Sequence, residues 1–157
     1  MAIQLIANYK KPTNGILQHP DARLRTISRT VDNIDESIRK IASKLINTIK
    51  MVDKPYNPWL GMAAPQIGYT IRMIAVKEKY GKYTLMINPE VVEQKWFYPS
   101  ITACYSLPGI YLRKQHYYFR VKYKDLDNKI HSKVYKGGKA LVFQQEIDHI
   151  SGILACD

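Results

Sequence analysis

The sequence predicts an α+β fold, in which a mostly antiparallel sheet packs around a C-terminal helix. Two observations predict a helix near each end of the chain: an amphipathic pattern over residues 34–52 and a second helical segment over residues 140–151. The third observation is a series of strand patterns between them, joined by turns. This order of helix, several strands and helix is typical of an α+β domain.

The first helix has the clearest pattern in the chain. Apolar residues recur there at steps of three and four positions, at Ile34, Ile38, Ile41, Leu45, Ile49 and Val52. Asn33 followed by Glu36 resembles a capping box, so the helix is predicted to begin there. Pro55 and Pro58 are predicted to end the helix and to open a loop. We interpret this helix as a core-packing element.

Five strand patterns follow, at residues 71–76, 83–87, 91–97, 117–123 and 130–135. Residues 79–82 form the predicted turn between the first two strands, and residues 125–128 form the predicted turn between the last two. Asn88 and Pro89 are predicted to end the second strand. The first two strands and the last two strands are therefore expected to pair, in a largely antiparallel sheet.

The last helix follows the glycines at positions 137 and 138, which are predicted to break the sheet. It is expected to run from about Ala140 to Ser151, and Gly152 is placed to end it. Because the chain has 157 residues and no linker or repeat, we predict one domain over residues 1–157.

Composition narrows the class of protein. The content of 46% hydrophobic and 24% charged residues is that of an ordinary soluble domain, and no apolar stretch approaches the ~20 residues of a membrane span. Residues 1–6 are too short for a signal-peptide core, so a cytoplasmic protein is expected. Residues 1–20 contain no acid, which leaves an organelle transit peptide open. Cys104 and Cys156 alone do not indicate a disulfide framework.

The formal net charge of +11 suits contact with RNA, ribosomes or other acidic surfaces. However, the basic residues are dispersed, and none of their runs is longer than two. A lysine-rich soluble surface is the simpler interpretation. No sequence-specific nucleic-acid binding and no membrane partner are expected.

The most informative segment is residues 144–149, within the last helix. Gln145 and His149 lie four positions apart on one helix face, and the acid Glu146 follows the first of them. With His at the first position the pattern would be H-E-x-x-H, a motif of metal hydrolases. Because a single His on a helix is usually not a ligand, this pair needs support from elsewhere in the chain.

Two further segments carry candidate chemistry. In residues 61–68, small residues and Gly61 allow the backbone to approach a ligand, and Gln66 can offer an amide N–H to an oxyanion, although a tight turn explains the same residues. In residues 104–109, a thiolate at Cys104 would be a strong metal ligand. The alternative for this cysteine is a small buried apolar side chain.

Together and in this order, the three segments resemble the signature motifs of peptide deformylases, which are G-x-G-x-A-A-x-Q, E-G-C-x-S and H-E-x-D-H. Residues 20–25 also resemble the family's P-D-x-R-L-R stretch, and residues 87–89 resemble its I-N-P. The resemblance extends from about residue 15 to residue 157.

This resemblance implies an enzyme that removes the formyl group from the N-terminal methionine of nascent proteins. It implies a divalent metal, Fe²⁺ or Zn²⁺, with Cys104, His149 and Gln145 at the ligand positions. The implied catalytic residues are Glu146 as general acid and base, with Gln66 and the backbone N–H of Tyr105 as oxyanion donors. Gly61 would line the substrate channel, and Leu141 and Val142 would form part of the methionine pocket.

The departures from the family pattern fall on the chemistry. Gln145 replaces the first His of the helix motif, and a neutral amide oxygen is a weaker ligand for these metals than imidazole. Thr102, Ala103 and Tyr105 replace the Glu, the Gly and the usual Leu around the cysteine. A downstream Arg position falls on His116, which would leave Asp148 without its cationic partner, although Arg113 and Lys114 are nearby. We therefore expect a weaker or empty metal site.

Three hypotheses stay open at this point. The first is a working metal-dependent deformylase of reduced activity, acting on formylmethionyl nascent peptides. The second is a catalytically inactive protein of the deformylase fold that binds formyl-peptides or ribosomal partners. The third is a basic RNA-binding domain without a site. The retention of Cys104 and Glu146 favours the first, and the changes in the two metal-binding motifs favour the second.

Overall fold

The computed structural model describes residues 3–6, 15–54 and 57–157. These parts of the chain contain the following strands and α-helices in order: β1 Ile3–Ile6, α1 Glu36–Val52, β2 Gly61–Ala63, β3 Met73–Lys77, β4 Tyr83–Thr102, β5 Ile110–Lys124, β6 Ile130–Lys136 and α2 Gly138–Ile150. Short 3₁₀ turns lie at Ala22–Arg25, Ala64–Ile67 and Lys79–Gly81.

All six strands belong to one sheet with the order β1-β5-β4-β3-β2, and β6 pairs with β5. Every pairing between these strands is antiparallel. Helix α2 packs against β2, β3, β5 and β6. The predicted α+β architecture, with an antiparallel sheet around the C-terminal helix, is confirmed.

The two α-helices cover opposite faces of β3. Met73 and Ala75 pack into a core formed with the apolar side of α1, whereas Ile74 and Val76 pack into a core formed with α2. Successive residues of a strand point to opposite faces, which is why one short strand serves both cores. The described helices include none long and apolar enough to cross a membrane.

Helix α1 begins one position after Asp35, and the predicted cap at Asn33 is wrong. The carboxylate of Asp35 accepts a hydrogen bond from the backbone N–H of Ile38 at 3.0 Å, which satisfies one of the free donors of the first turn. The helix ends at Val52, and Asp53 after it has extended backbone. Pro55, which was predicted to end the helix, lies outside the described residues.

The prediction that Asn88 and Pro89 end a strand is also wrong, because β4 continues through them. Asn88 has φ of 50°, and the register with β5 shifts between Ile87 and Glu90. The side chain of Asn88 accepts from the N–H of Val31 at 2.9 Å and donates to its carbonyl at 2.8 Å, which fixes the bulge. The part of β4 before this bulge pairs with β3, and the part after it pairs with β5.

Three further differences concern the strands. Strand β5 begins at Ile110 rather than at residue 117, and β1 and β2 were not predicted. Both unpredicted strands have only three or four residues, too few to show a period of two.

The last helix begins at Gly138 after Gly137, which has φ of 60°, and Gly152 after its end has φ of 75°. The predicted end of α2 before Gly152 is confirmed, whereas the helix begins two residues before the predicted start at Ala140.

Candidate active site

The site forms where α2, β2 and the turn between β4 and β5 meet. Cys104 lies in that turn and His149 lies in α2, 45 residues further along the chain. Both are buried, and the Sγ atom of Cys104 is 3.1 Å from Nε2 of His149. The structure thus brings together a thiol and an imidazole, which are the two ligand types that zinc and iron sites favour.

Two N–H groups are directed at the sulfur of Cys104. The backbone N–H of Ser106 lies 3.4 Å from it, and Nε2 of Gln66 lies 3.5 Å from it. The turn itself is tied by a hydrogen bond from the N–H of Leu107 to the carbonyl of Cys104. The thiolate is the form of cysteine that binds metals, and both N–H groups are placed where they can donate to such a sulfur.

Gln66 is held rigidly in the 3₁₀ turn that follows β2. Its side-chain oxygen accepts from the N–H of Ala63 at 2.8 Å, and Nε2 donates to the hydroxyl of Ser106 at 3.1 Å. These two bonds fix which end of the amide faces Cys104. The amide nitrogen is therefore presented to the site, as an oxyanion donor requires.

Glu146 is buried on α2 beside strand β2. A Cβ atom at Gly61 would lie 2.7 Å from Cγ of Glu146 and 2.9 Å from Cγ1 of Val142. Such separations are well below van der Waals contact, so only glycine lets β2 pass this close to the helix. Gly61 thus allows the carboxylate to occupy its position at the site.

Gln145 also reaches the site, and its side chain contacts Thr102 at the end of β4. The hydroxyl of Thr102 donates a hydrogen bond to the side-chain oxygen of Gln145. The amide oxygen of Gln145 is therefore already engaged with a neighbour.

His149 is kept in its neutral form. Burial, followed by the positive charges of Arg113 and Arg25, lowers the pKa of His149 to about 4. A metal-binding imidazole must be unprotonated, and this environment meets that condition. Nδ1 of His149 has no hydrogen-bond partner among the residues that the structure describes.

The expectation that Asp148 lacks a cationic partner is wrong. Nη1 of Arg113 lies 3.0 Å from Oδ2 of Asp148, and both side chains are largely buried. Burial raises the pKa of Asp148, and the charge of Arg113 opposes that shift. His116 cannot take this role because its ring packs on Phe97, with 4.4 Å between ring centres. Alternation along β5 places Arg113 towards α2 and His116 away from it.

Two adjoining cavities lie at this site. The smaller, of about 50 Å³, is lined by Gly61, Gln66, Cys104, Tyr105, Val142, Gln145 and Glu146 together with residues of the loop before β2. The larger, of about 340 Å³, is lined by Thr102, Leu141, Gln145 and several neighbours. Five residues border both cavities, namely Asn57, Trp59, Ala103, Val142 and Gln145. Eight of the nine residues proposed from the sequence line these two cavities, and the ninth, His149, is buried in contact with Cys104.

Comparison with known proteins decides the family. The polypeptide deformylase family matches residues 13–157, which is nearly the whole chain. The chain belongs to the polypeptide deformylase family. A peptide deformylase of Dictyoglomus thermophilum is 34% identical over 140 residues, covering 87% of this chain and 86% of the relative. A peptide deformylase-like protein of Brucella melitensis is 32% identical over 143 residues, covering 88% and 83%.

The fold of this deformylase-family chain agrees with that membership. The crystal structure of peptide deformylase from Thermotoga maritima superimposes with a TM-score of 0.82 at 28% sequence identity, covering 90% of this chain and 94% of that one. The assignment of the fold by resemblance is thereby confirmed.

One residue at the site was missed from the sequence. In the deformylase pattern G-x-G-x-A-A-x-Q, the first Gly falls on Trp59, two positions before Gly61. The Trp59 ring lies directly over Gly138, where an added Cβ would overlap it. An alignment of the complete G-x-G-x-A-A-x-Q pattern, from its first Gly onward, identifies Trp59 as a departure from the family.

Peptide deformylases are metal-dependent, and the side chains here fit a divalent metal in part. Cys104 and His149 supply sulfur and nitrogen, and Gln145 supplies an amide oxygen beside them. Residues 15–54 and 57–157 contain no cluster of three or more His, Cys, Asp or Glu side chains that could hold an ion. Two strong ligands are therefore present where a catalytic zinc site commonly has three.

Proposed function

We propose that this protein is a metal-dependent hydrolase that removes the N-formyl group from the N-terminal methionine of nascent proteins. The observation that carries the proposal is the 3.1 Å approach of Cys104 to His149, beside a cavity lined by Glu146 and Gln66. Family membership over residues 13–157 supports the same reaction. We further propose that the protein acts in the cytoplasm on chains leaving the ribosome.

Cys104 and His149 would hold the metal, either Fe²⁺ or Zn²⁺. Gln145 would be a weak third ligand or would leave that position to water, because its oxygen accepts a hydrogen bond from Thr102. When bound, a metal ion of this kind lowers the pKa of a water molecule and polarises a carbonyl oxygen. The absence of a second imidazole would weaken binding of the ion.

Glu146 would move the proton. Its carboxylate lies at the smaller cavity and is held there by the close approach of Gly61. It would accept a proton from the attacking water and deliver it to the nitrogen of the formamide as the bond between carbon and nitrogen breaks. The products are formate and a free amino terminus, so no proton or oxygen atom is left unaccounted for.

Gln66 and the backbone N–H of Tyr105 would stabilise the oxyanion. The amide of Gln66 is fixed by Ala63 and Ser106. Its second N–H, which is directed at the sulfur of Cys104, would turn to the oxyanion when Cys104 holds the metal. Tyr105 lines the same cavity, and its hydroxyl donates to the carbonyl of Val52 at 3.2 Å. Donors that are fixed in advance are effective because they need not move during the reaction.

The larger cavity would accept the side chain of the formylated methionine. Leu141 and Val142 line it from α2, and Val142 and Trp59 also border the smaller cavity. Gly61 would line the path of the peptide between the two. This arrangement would place the formyl group near Glu146 while the apolar side chain lies in the neighbouring space.

A second function is favoured by one specific observation. The contact between Thr102 and Gln145 occupies the oxygen at the third ligand position, which is compatible with a protein that binds formyl-peptides without hydrolysing them. Ribosomal components are further candidate partners of such a protein.

One experiment separates the two functions. The protein is purified anaerobically, its metal content is measured, and hydrolysis of a formyl-methionyl peptide is compared with binding of the same peptide. We expect metal-dependent release of formate, with no hydrolysis of the acetyl-methionyl control. Binding without formate release, in a protein loaded with Fe²⁺ or Zn²⁺, would replace the first function with the second.

A further inference from the structure

The sheet carries a cluster of aromatic and basic side chains on the side turned away from α2. We call it the aromatic face; its members are Lys95, Trp96 and Phe97 of β4, Lys114, His116, Tyr118 and Arg120 of β5, and Lys136 of β6. Arg113, Phe119 and Val121 of β5 point towards α2. Because side chains alternate along a strand, the even-numbered residues from 114 to 120 point the other way.

Strand register brings these side chains together. Lys95 lies opposite Tyr118, which lies opposite Lys136, and Phe97 lies opposite His116. Directly opposed residues of antiparallel strands share a face. Trp96, between Lys95 and Phe97, has φ of 56°, so it departs from the alternation, and its ring reaches that of Tyr118. Helix α1 covers this side of the sheet over Met73, Ala75 and Ile87, and the aromatic face lies beyond that region.

Large rings on the aromatic face are open to solvent. Trp96 is 64% exposed and Phe97 is 62% exposed. Trp96 meets Tyr118 edge to face, with 5.9 Å between ring centres. Adjacent exposed rings of this size mark a contact surface more often than scattered single apolar residues do.

Cations surround the rings. Nζ of Lys114 lies 4.3 Å from the ring centre of Phe97, and the ammonium groups of Lys95 and Lys136 lie 5.4 Å and 5.8 Å from that of Tyr118. Glu93 forms ion pairs with Lys95 at 2.7 Å and with Arg120 at 3.4 Å, and its single charge offsets one of these two cations. Lys114 and Lys136 form no ion pair with a described residue, so the face has an excess of positive charge.

We propose that the aromatic face binds single-stranded RNA without reading its base sequence. An unpaired strand offers flat bases that stack on exposed rings and phosphates that attract the surrounding cations, and both features are present on this face. The net charge of +11 adds long-range attraction to a polyanion. The choice of RNA over DNA rests on the proposed function, because an enzyme of nascent chains works beside RNA.

The test measures binding of a labelled oligouridine of about 12 nucleotides by fluorescence anisotropy at several salt concentrations. We expect affinity to fall steeply with salt, and Trp96→Leu and Phe97→Leu each to weaken binding at least about fivefold. Lys114→Glu should weaken binding and reduce the salt dependence. Phe97→Tyr keeps a ring and should bind like the wild type, which guards against loss of folding as the cause.

Matched controls lie elsewhere on the surface. Tyr80→Leu removes a ring that is 94% exposed, and Lys50→Glu reverses a charge on α1; both should bind RNA like the wild type. Glu146→Ala should also retain RNA binding, so this result is independent of the proposed hydrolase function. Unchanged affinity in Trp96→Leu and Phe97→Leu would overturn the proposal.

Two further outcomes would also overturn it. Equal affinity for double-stranded RNA would show that charge alone drives binding, since paired bases cannot stack on the rings. A wild-type dimer in sedimentation that Trp96→Leu converts to a monomer would show that a second copy of the chain covers the face. Tighter binding to a DNA strand of matching length would exclude RNA as the preferred ligand.

Discussion

Thr102 donates its hydroxyl hydrogen to the side-chain oxygen of Gln145, which joins the two main departures from the deformylase motifs. Thr102 stands where the family pattern has the acid before the cysteine, and Gln145 stands where it has the first His of the helix motif. These residues are 43 positions apart in sequence, yet they are direct partners. The changes therefore form one local rearrangement at the third ligand position.

Gln145→His is expected to raise the affinity for Zn²⁺ at least about tenfold, because an imidazole is a better ligand for this ion than a neutral amide oxygen. Competition against a coloured chelator would measure the change, and the absorption of bound Co²⁺ would show whether the thiolate of Cys104 stays a ligand. Gln94→His, on the exposed part of β4, is the matched control. The same affinity in Gln145→His and wild type would mean that position 145 does not face the ion.

Glu146→Gln is expected to lower kcat by about 10²–10⁴-fold, because the amide cannot accept a proton from water. The substitution keeps the size of the side chain beside Gly61, so metal content and the unfolding midpoint should stay close to those of the wild type. Glu90→Gln, at an exposed position of β4, controls for the loss of one charge. If deformylation proceeded normally in Glu146→Gln, another group would have to carry the proton.

Local sequence patterns were enough to predict both helices and the antiparallel pairing. The apolar steps of α1 and the glycines around α2 are local signals that the tertiary structure preserves. The continuity of β4 could not be predicted, because Asn88 acts through hydrogen bonds to Val31, which is 57 positions away. A residue that normally ends a strand instead marks a change of partner.

The candidate site also depends on contacts that local sequence patterns do not predict. The motif spacing was enough to nominate Cys104 and His149, but the pairing of Arg113 with Asp148 depends on which side of β5 each residue occupies. The bulges that set this register lie in β4 and have no clear local pattern. The contact between Thr102 and Gln145 likewise follows from the placement of α2 beside the end of β4.

Gly138→Ala is expected to destabilise the protein by about 1–3 kcal/mol, because the new methyl group would overlap the ring of Trp59. In a Trp59→Gly background the same substitution should instead stabilise by up to about 1 kcal/mol, since alanine is the better helix former. Urea unfolding of the four proteins in this cycle would measure both effects. An equal cost of Gly138→Ala in the two backgrounds would show that the ring and Gly138 are not coupled.

Tyr83→Phe is expected to show that the hydroxyl of Tyr83 stabilises the protein at neutral pH and that this stabilisation is lost at alkaline pH. The hydroxyl of Tyr83 donates to Asp53 at 3.1 Å, and Lys77 pairs with the same carboxylate at 2.7 Å. Burial and the bond to Asp53 raise the pKa of Tyr83 to about 12. In the unfolded chain the phenol ionises near pH 10, so the stabilisation is complete below that pH and is lost as pH rises towards 12.

The stability gap between wild type and Tyr83→Phe should therefore be about 1 kcal/mol near neutral pH, which is the usual value of a hydrogen bond, and should shrink above about pH 10. Urea unfolding at a series of pH values would follow it. Tyr80→Phe is the control, because Tyr80 is almost fully exposed and should show no gap at any pH. If the stability difference between wild type and Tyr83→Phe stayed constant up to about pH 11, the phenol would have the same pKa in the folded and unfolded chains. The hydrogen bond to Asp53 would then not contribute to stability in the way proposed.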